Sequence, residues 1–242
     1  MNANDSTQRS RRAFVAGIFA ACALSLSAVA ADDAPKLKIG VIGSGRIGGT
    51  VGELWAKAGH DVMFSSLDLE ADKKLAARVG ARAGTPAEAA AFGEVLLFSV
   101  PYKALPQLGR DLAGSIKGKV VLDTANPYPQ RDGEMAVAVR EKGTGVASPE
   151  FLPGARLVRA FNSVGFLQLA SEAHRAGDKV AIPLAADDPA ALKVAIRLVS
   201  DAGFEPVVVG GLARAKEFDV GTPVYGKALT ATELRKGLGI ER

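Results

Sequence analysis

Gly43-Ser44-Gly45-Arg46-Ile47-Gly48 has the residue types and spacing of a backbone phosphate cradle. The loop follows the apolar run Lys38-Ile39-Gly40-Val41-Ile42. It leads into residues 47–58, where Val51, Leu54, Trp55 and Ala58 share one helical face. A glycine loop between a strand and a helix is the context in which G-x-G-x-x-G indicates dinucleotide binding. The first glycine permits a tight turn, the second lets backbone approach a pyrophosphate, and the third packs helix on strand. Free N–H groups and the positive end of the helix dipole then face the phosphates.

The end of the second strand reads the adenosine ribose. An NAD site places an acid there to hold the 2′-hydroxyl. Here the place is Phe64-Ser65-Ser66-Leu67, and Asp68 comes late. Ser65 and Ser66 suit a 2′-phosphate better than a carboxylate would. Arg46, Lys73 or Lys74 would supply the missing base, so the expectation is NADP, with NAD as the alternative.

Ligands of open α/β sheets gather beyond the carboxyl ends of the strands. The remaining ends are Ser99-Val100-Pro101, Thr124-Ala125-Asn126 and Ala160-Phe161-Asn162. Pro101 removes a donor and stiffens an apolar wall for the nicotinamide. Asn126 and Asn162 are candidates to orient its carboxamide or the hydride acceptor, or else they serve local turns. Pro127-Tyr128-Pro129 stiffens its loop, with a cis bond as one way to do so. No Ser-His-Asp, paired-carboxylate or metal constellation emerges, so no catalytic residue and no metal are assigned. Hydride exchange with another redox cofactor needs little acid–base help, whereas carbonyl reduction needs a proton donor.

Strands at 61–65, 95–100, 120–123, 157–161, 180–184 and 206–209 alternate with helices at 70–79, from 85, 102–112, 189–202 and 231–238. That order predicts a Rossmann-type, doubly wound, mainly parallel α/β sheet with a smaller C-terminal α/β lobe. Residues 36–145 are expected to form the dinucleotide domain. Residues 146–242 would complete the acceptor site and are a candidate surface for homo-oligomer contacts. The irregular stretch 127–150 would separate the two.

The 242 residues carry a formal charge of +4, and those after residue 30 carry +2. That balance, without a basic cluster, argues against nucleic acid. Cys22 is the single cysteine, and it lies in an uncharged run, 13–31, that ends in Ala28-Val29-Ala30. A basic segment, an apolar segment and a small-residue cleavage site make residues 1–30 an expected export signal. Ser10-Arg11-Arg12-Ala13-Phe14-Val15 resembles a twin-arginine signal, whose Tat machinery carries folded proteins to the periplasm. Membrane anchoring through residues 13–31 is the alternative.

Residues 38 to about 238 resemble the F420-dependent NADP reductase family. The marks are Ile42 to Gly49, Gly59-His60-Asp61-Val62, Ser99-Val100-Pro101, Ala186-Asp187-Asp188 and Gly210-Gly211-Leu212-Ala213-Arg214. The resemblance implies that Ser44, Gly45, Arg46 and Ile47 bind the NADP pyrophosphate and that Ser66 meets the 2′-phosphate. It also implies a deazaflavin stacked near Val100 and Pro101, with a flavin as the alternative acceptor. The family commonly has Ser-Arg where this chain has Ser66-Leu67. The domain is also similar to the cytosolic part of six-span metalloreductases, which makes ferric or cupric reduction a further alternative. An exported nucleotide-binding protein without turnover is the non-catalytic reading.

Overall fold

Eight strands form a single sheet: β1 (Lys38–Ile42), β2 (Asp61–Ser65), β3 (Arg82–Ala83), β4 (Val95–Phe98), β5 (Val120–Asp123), β6 (Arg156–Arg159), β7 (Ala181–Ala186) and β8 (Glu205–Gly210). The computed structural model describes residues 35–240, so the export signal and the alternative anchor lie outside the described residues. The strand order is β3-β2-β1-β4-β5-β6-β7-β8. Its first six strands run parallel in Rossmann order. β7 then reverses against β6, and β8 runs parallel to β7.

The residues from Lys36 onward cluster as one compact unit. Residues after 145 add β6–β8 to the same sheet, and the helix Thr144–Phe151 spans residue 145. The stretch 127–150 is short helices, Pro129–Asp132, Glu134–Lys142 and then Thr144–Phe151. Gly133 and Gly143, both at positive φ, divide them, which hides any helical period from the sequence.

Strand alternation sends side chains to two covered faces. Val41, Leu97 and Leu122 join Val51 and Trp55 of helix α1 (Arg46–Lys57) on one face. Ile42, Phe98 and Val121 pack with Tyr102, Leu105 and Leu152 on the other. Trp55 also donates from its indole N–H to the Leu198 carbonyl at 2.7 Å, tying α1 to the helix Pro189–Asp201.

Two expected elements end early. The fourth strand stops at Phe98 rather than Val100 because Ser99–Pro101 turn away at its carboxyl end, and Pro101 has no N–H to continue a ladder. The helix after it begins as a 3₁₀ turn, Tyr102–Ala104, before the α-helix Leu105–Asp111, whose second residue is Pro106. No peptide bond among the described residues is cis.

Candidate functional site

The order of strands reverses between β1 and β4, and there the glycine loop meets Ser99–Pro101. Gly43 has φ +96°, and its N–H and that of Ser44 both donate to the Ser65 carbonyl at 2.8 and 3.0 Å. Gly48 packs so closely that an added Cβ would lie 2.1 Å from the Gly43 carbonyl oxygen. Gly45 differs: a Cβ there meets no protein atom within 4 Å. Its lack of a side chain therefore leaves an open cradle rather than satisfying packing. Gly45 is also the N-cap of α1, with no side chain capping the helix and no acid in the first turn. The first-turn N–H groups of Arg46, Ile47 and Gly48 remain for an anionic ligand.

From this cradle a cleft of about 390 Å³ runs along the strand ends. Ser99, Val100 and Pro101 form one wall, and Asn126 and Asn162 stand across from them. The side-chain Oδ1 atoms of both asparagines are buried without a partner. A ligand amide donor would satisfy either. Asn126 donates through Nδ2 to the Asn162 carbonyl at 2.8 Å and to the Tyr225 hydroxyl at 3.2 Å. Tyr225 and Tyr128 share a further short hydroxyl–hydroxyl bond. One phenol must donate to the other, so the second O–H is left for a ligand. Burial first, then Tyr128, push the Tyr225 phenol up from its ordinary value and keep it protonated.

The asparagines are held by buried structure. Asp123 ends β5 in an ion pair with Arg159 at 2.7 Å, both fully buried. Asp123 also accepts from the Ala125 N–H at 2.8 Å and the Ser148 hydroxyl at 2.7 Å. Arg159 donates to the Ala125 carbonyl at 3.0 Å. Burial opposes the Arg159 charge, but Asp123 and Asp219 outweigh it and hold the guanidinium protonated. Phe161, next to Asn162, has φ +57°, a left-handed conformation that few bulky residues adopt. Its ring is locked between Trp55 and Phe204, at 5.9 and 6.2 Å. Buried aromatic packing thus fixes the turn that aims Asn162.

These surroundings suit a nicotinamide dinucleotide: Arg46 lines both the cradle and the cleft that holds the apolar wall and the two asparagines. Residues 38–127 match the family model described as NADP oxidoreductase, coenzyme F420-dependent. That segment is similar to this family. An F420-dependent NADP reductase of Methanothermobacter thermautotrophicus is 28% identical over 204 residues, covering 78% of this chain and 87% of that protein. A solved hypothetical protein from Sinorhizobium meliloti aligns with a TM-score of 0.71 and 22% identity, covering 81% of this chain and 96% of its own. A candidate F420-dependent NADP-reductase from Arthrobacter sp. FB24 aligns at 0.63 and 22%, covering 74% and 87%. These two structures establish likeness of fold.

The other family marks brace the sheet. Asp187 accepts from the Leu212 N–H at 2.8 Å, and Asp188 caps the helix Pro189–Asp201 and pairs with Arg156. His60 accepts from the Leu37 N–H and bonds Asp201 at 3.0 Å. No cluster of His, Cys, Asp and Glu among the described residues is arranged to hold a metal. Ser65 does not face the cleft: strand alternation turns its hydroxyl inward, onto the Val41 carbonyl at 2.7 Å. Ser66 lines a neighbouring cleft with Ser44, Gly45 and Arg46. Arg46 lines both clefts and places its guanidinium 5.1 Å from the centre of the Phe166 ring. Lys73 pairs with Glu70 on an exposed face and Leu67 is fully exposed.

Proposed function

We propose that this protein is an NAD(P)H-dependent oxidoreductase that moves a hydride between a nicotinamide dinucleotide and a flavin-type acceptor, with deazaflavin F420 first and a flavin second. One observation carries the reading: the open cradle at Gly45 continues directly into a cleft with an apolar wall and orphaned amide acceptors. The family description supports NADP(H) and F420 as the reacting pair.

When bound, the reduced dinucleotide supplies the hydride and the acceptor ring takes it up. The chain's own part is to bind and orient. The first turn of α1 and Arg46 hold the pyrophosphate, Val100 and Pro101 back the nicotinamide face, and the Asn126 and Asn162 amides fix its carboxamide. The cleft lining contains no carboxylate, histidine or lysine among the described residues. The Tyr128–Tyr225 pair offers one neutral O–H donor. Hydride addition builds negative charge on the acceptor ring, which such a donor stabilises.

Purified protein should oxidise NADH or NADPH when deazaflavin or flavin is added, followed by dinucleotide absorbance. Tyr225→Phe should slow the reaction by roughly 10-fold, the low end of what a lost transition-state donor costs. A protein that leaves both dinucleotides reduced with every such acceptor is a binding protein, not an enzyme.

The twin-arginine segment supports a second part of the proposal: the chain is exported already folded around its dinucleotide. Replacing Arg11 and Arg12 with lysine should retain it in the cytoplasm when cell fractions are blotted. Equal periplasmic yield from the variant would refute that route.

A further inference from the structure

The adenosine end of the site holds a carboxylate where the family reads a 2′-phosphate. Asp72 sits in the first turn of helix α2 (Leu69–Val79) and is 2% exposed. The Ser66 hydroxyl lies 3.0 and 2.9 Å from its two oxygens, and the Ser44 hydroxyl donates to it as well. Ser44, Gly45, Ser66 and Asp72 line a cleft of about 470 Å³. The cations lining it are Arg46 and Arg78. Arg46 lies over Phe166 and Arg78 pairs with Glu53. Among the described residues no lysine or arginine forms an ion pair with Asp72. The positive end of α2 and the serines hold its charge instead.

We propose that Asp72 makes this chain select NAD(H) over NADP(H). The argument is one of hydrogen-bond polarity as well as charge. A ribose 2′-hydroxyl carries a proton to donate into the carboxylate, in the role an acid at the end of the second strand plays in NAD sites. A dianionic 2′-phosphate offers acceptors only, and both serine protons are already directed to Asp72. It would have to take those serines from the carboxylate and then lie beside an uncompensated like charge. Leu67, beside Ser66 and fully exposed, brings no guanidinium to offset this. The proposal rests on the dinucleotide reading of the glycine loop and departs from the family in the nucleotide it favours.

The test is calorimetric titration of the full chain with NADH and with NADPH. Wild type should bind NADH at least about tenfold more tightly. Asp72→Asn should tighten NADPH by about tenfold while NADH weakens or stays within threefold. Leu67→Arg, on the surface and without packing cost, should tighten NADPH alone, which keeps the test open if the Asp72 variant fails to fold. Wild type binding NADPH as tightly as NADH, or Asp72→Asn shifting both equally, would overturn the role of Asp72 while leaving the dinucleotide site in place. Binding of neither nucleotide would bring down the dinucleotide reading, and this proposal with it.

Discussion

Gly45→Val should leave the protein folded and raise its dinucleotide Kd by roughly 100-fold, about 2.8 kcal/mol. The structure separates the two effects cleanly. Nothing in the protein lies within 4 Å of the position a Cβ would take, so the added Cβ meets no clash at home. Gly45 has φ −67°, which any residue adopts. The valine would instead fill the space in which the pyrophosphate must approach the first turn of α1. Gly48→Val is the useful contrast, because its Cβ would collide with the Gly43 carbonyl and disturb the loop itself. Thermal denaturation with dinucleotide titration distinguishes them. Gly45→Val with normal melting and unaltered binding would mean that the cradle is not where the phosphates sit.

Asp123→Ala should destabilise the fold by about 3–5 kcal/mol, the cost of leaving one partner of a buried ion pair alone. Arg159 is fully buried, and removing Asp123 leaves Asp219, 3.5 Å away, as its remaining carboxylate. For a chain of this size the loss corresponds to a melting point lower by about 10 °C. The loop Thr124–Asn126 would loosen too, since Asp123 accepts the Ala125 N–H. Replacing Asp123 and Arg159 together with leucine and methionine should recover much of the stability, because the stranded charge is gone. A single variant that melts within about 2 °C of wild type would show the pair to be dispensable.

The glycine loop and the alternation of strands and helices were legible because each depends on local signals. Glycine spacing, β1 and the first turn of α1 are contiguous in sequence. The apolar runs of β4 and β5 announce strands covered on both faces. Ser65 departs from the expectation because strand alternation sends Ser65 and Ser66 to opposite sides. Tyr225 gave no local signal: it meets Tyr128 across 97 residues, brought in by the loop whose Gly226 N–H bonds the Ser163 carbonyl. Asp72 did leave a trace. Positions 72, 75, 76 and 79 form one helical stripe, and an aspartate among Leu75, Ala76 and Val79 is a charge on an otherwise apolar face. The acid missing from the end of β2 was to be sought one turn into the next helix. The Phe161 turn, by contrast, follows from tertiary packing around its ring and has no sequence mark.

The central claim is that this cleft passes a hydride from nicotinamide to an acceptor ring. Anaerobic mixing with NADH or NADPH deuterated at the transferring ring carbon, followed by mass spectrometry of the acceptor, tests it directly. The account predicts that deuterium appears on the ring carbon of the reduced deazaflavin, while a flavin, which takes the hydride at an exchangeable nitrogen, shows a primary deuterium isotope effect on its reduction. Saturating dinucleotide binding with neither deuterium on the deazaflavin nor any reduction of flavin would contradict it.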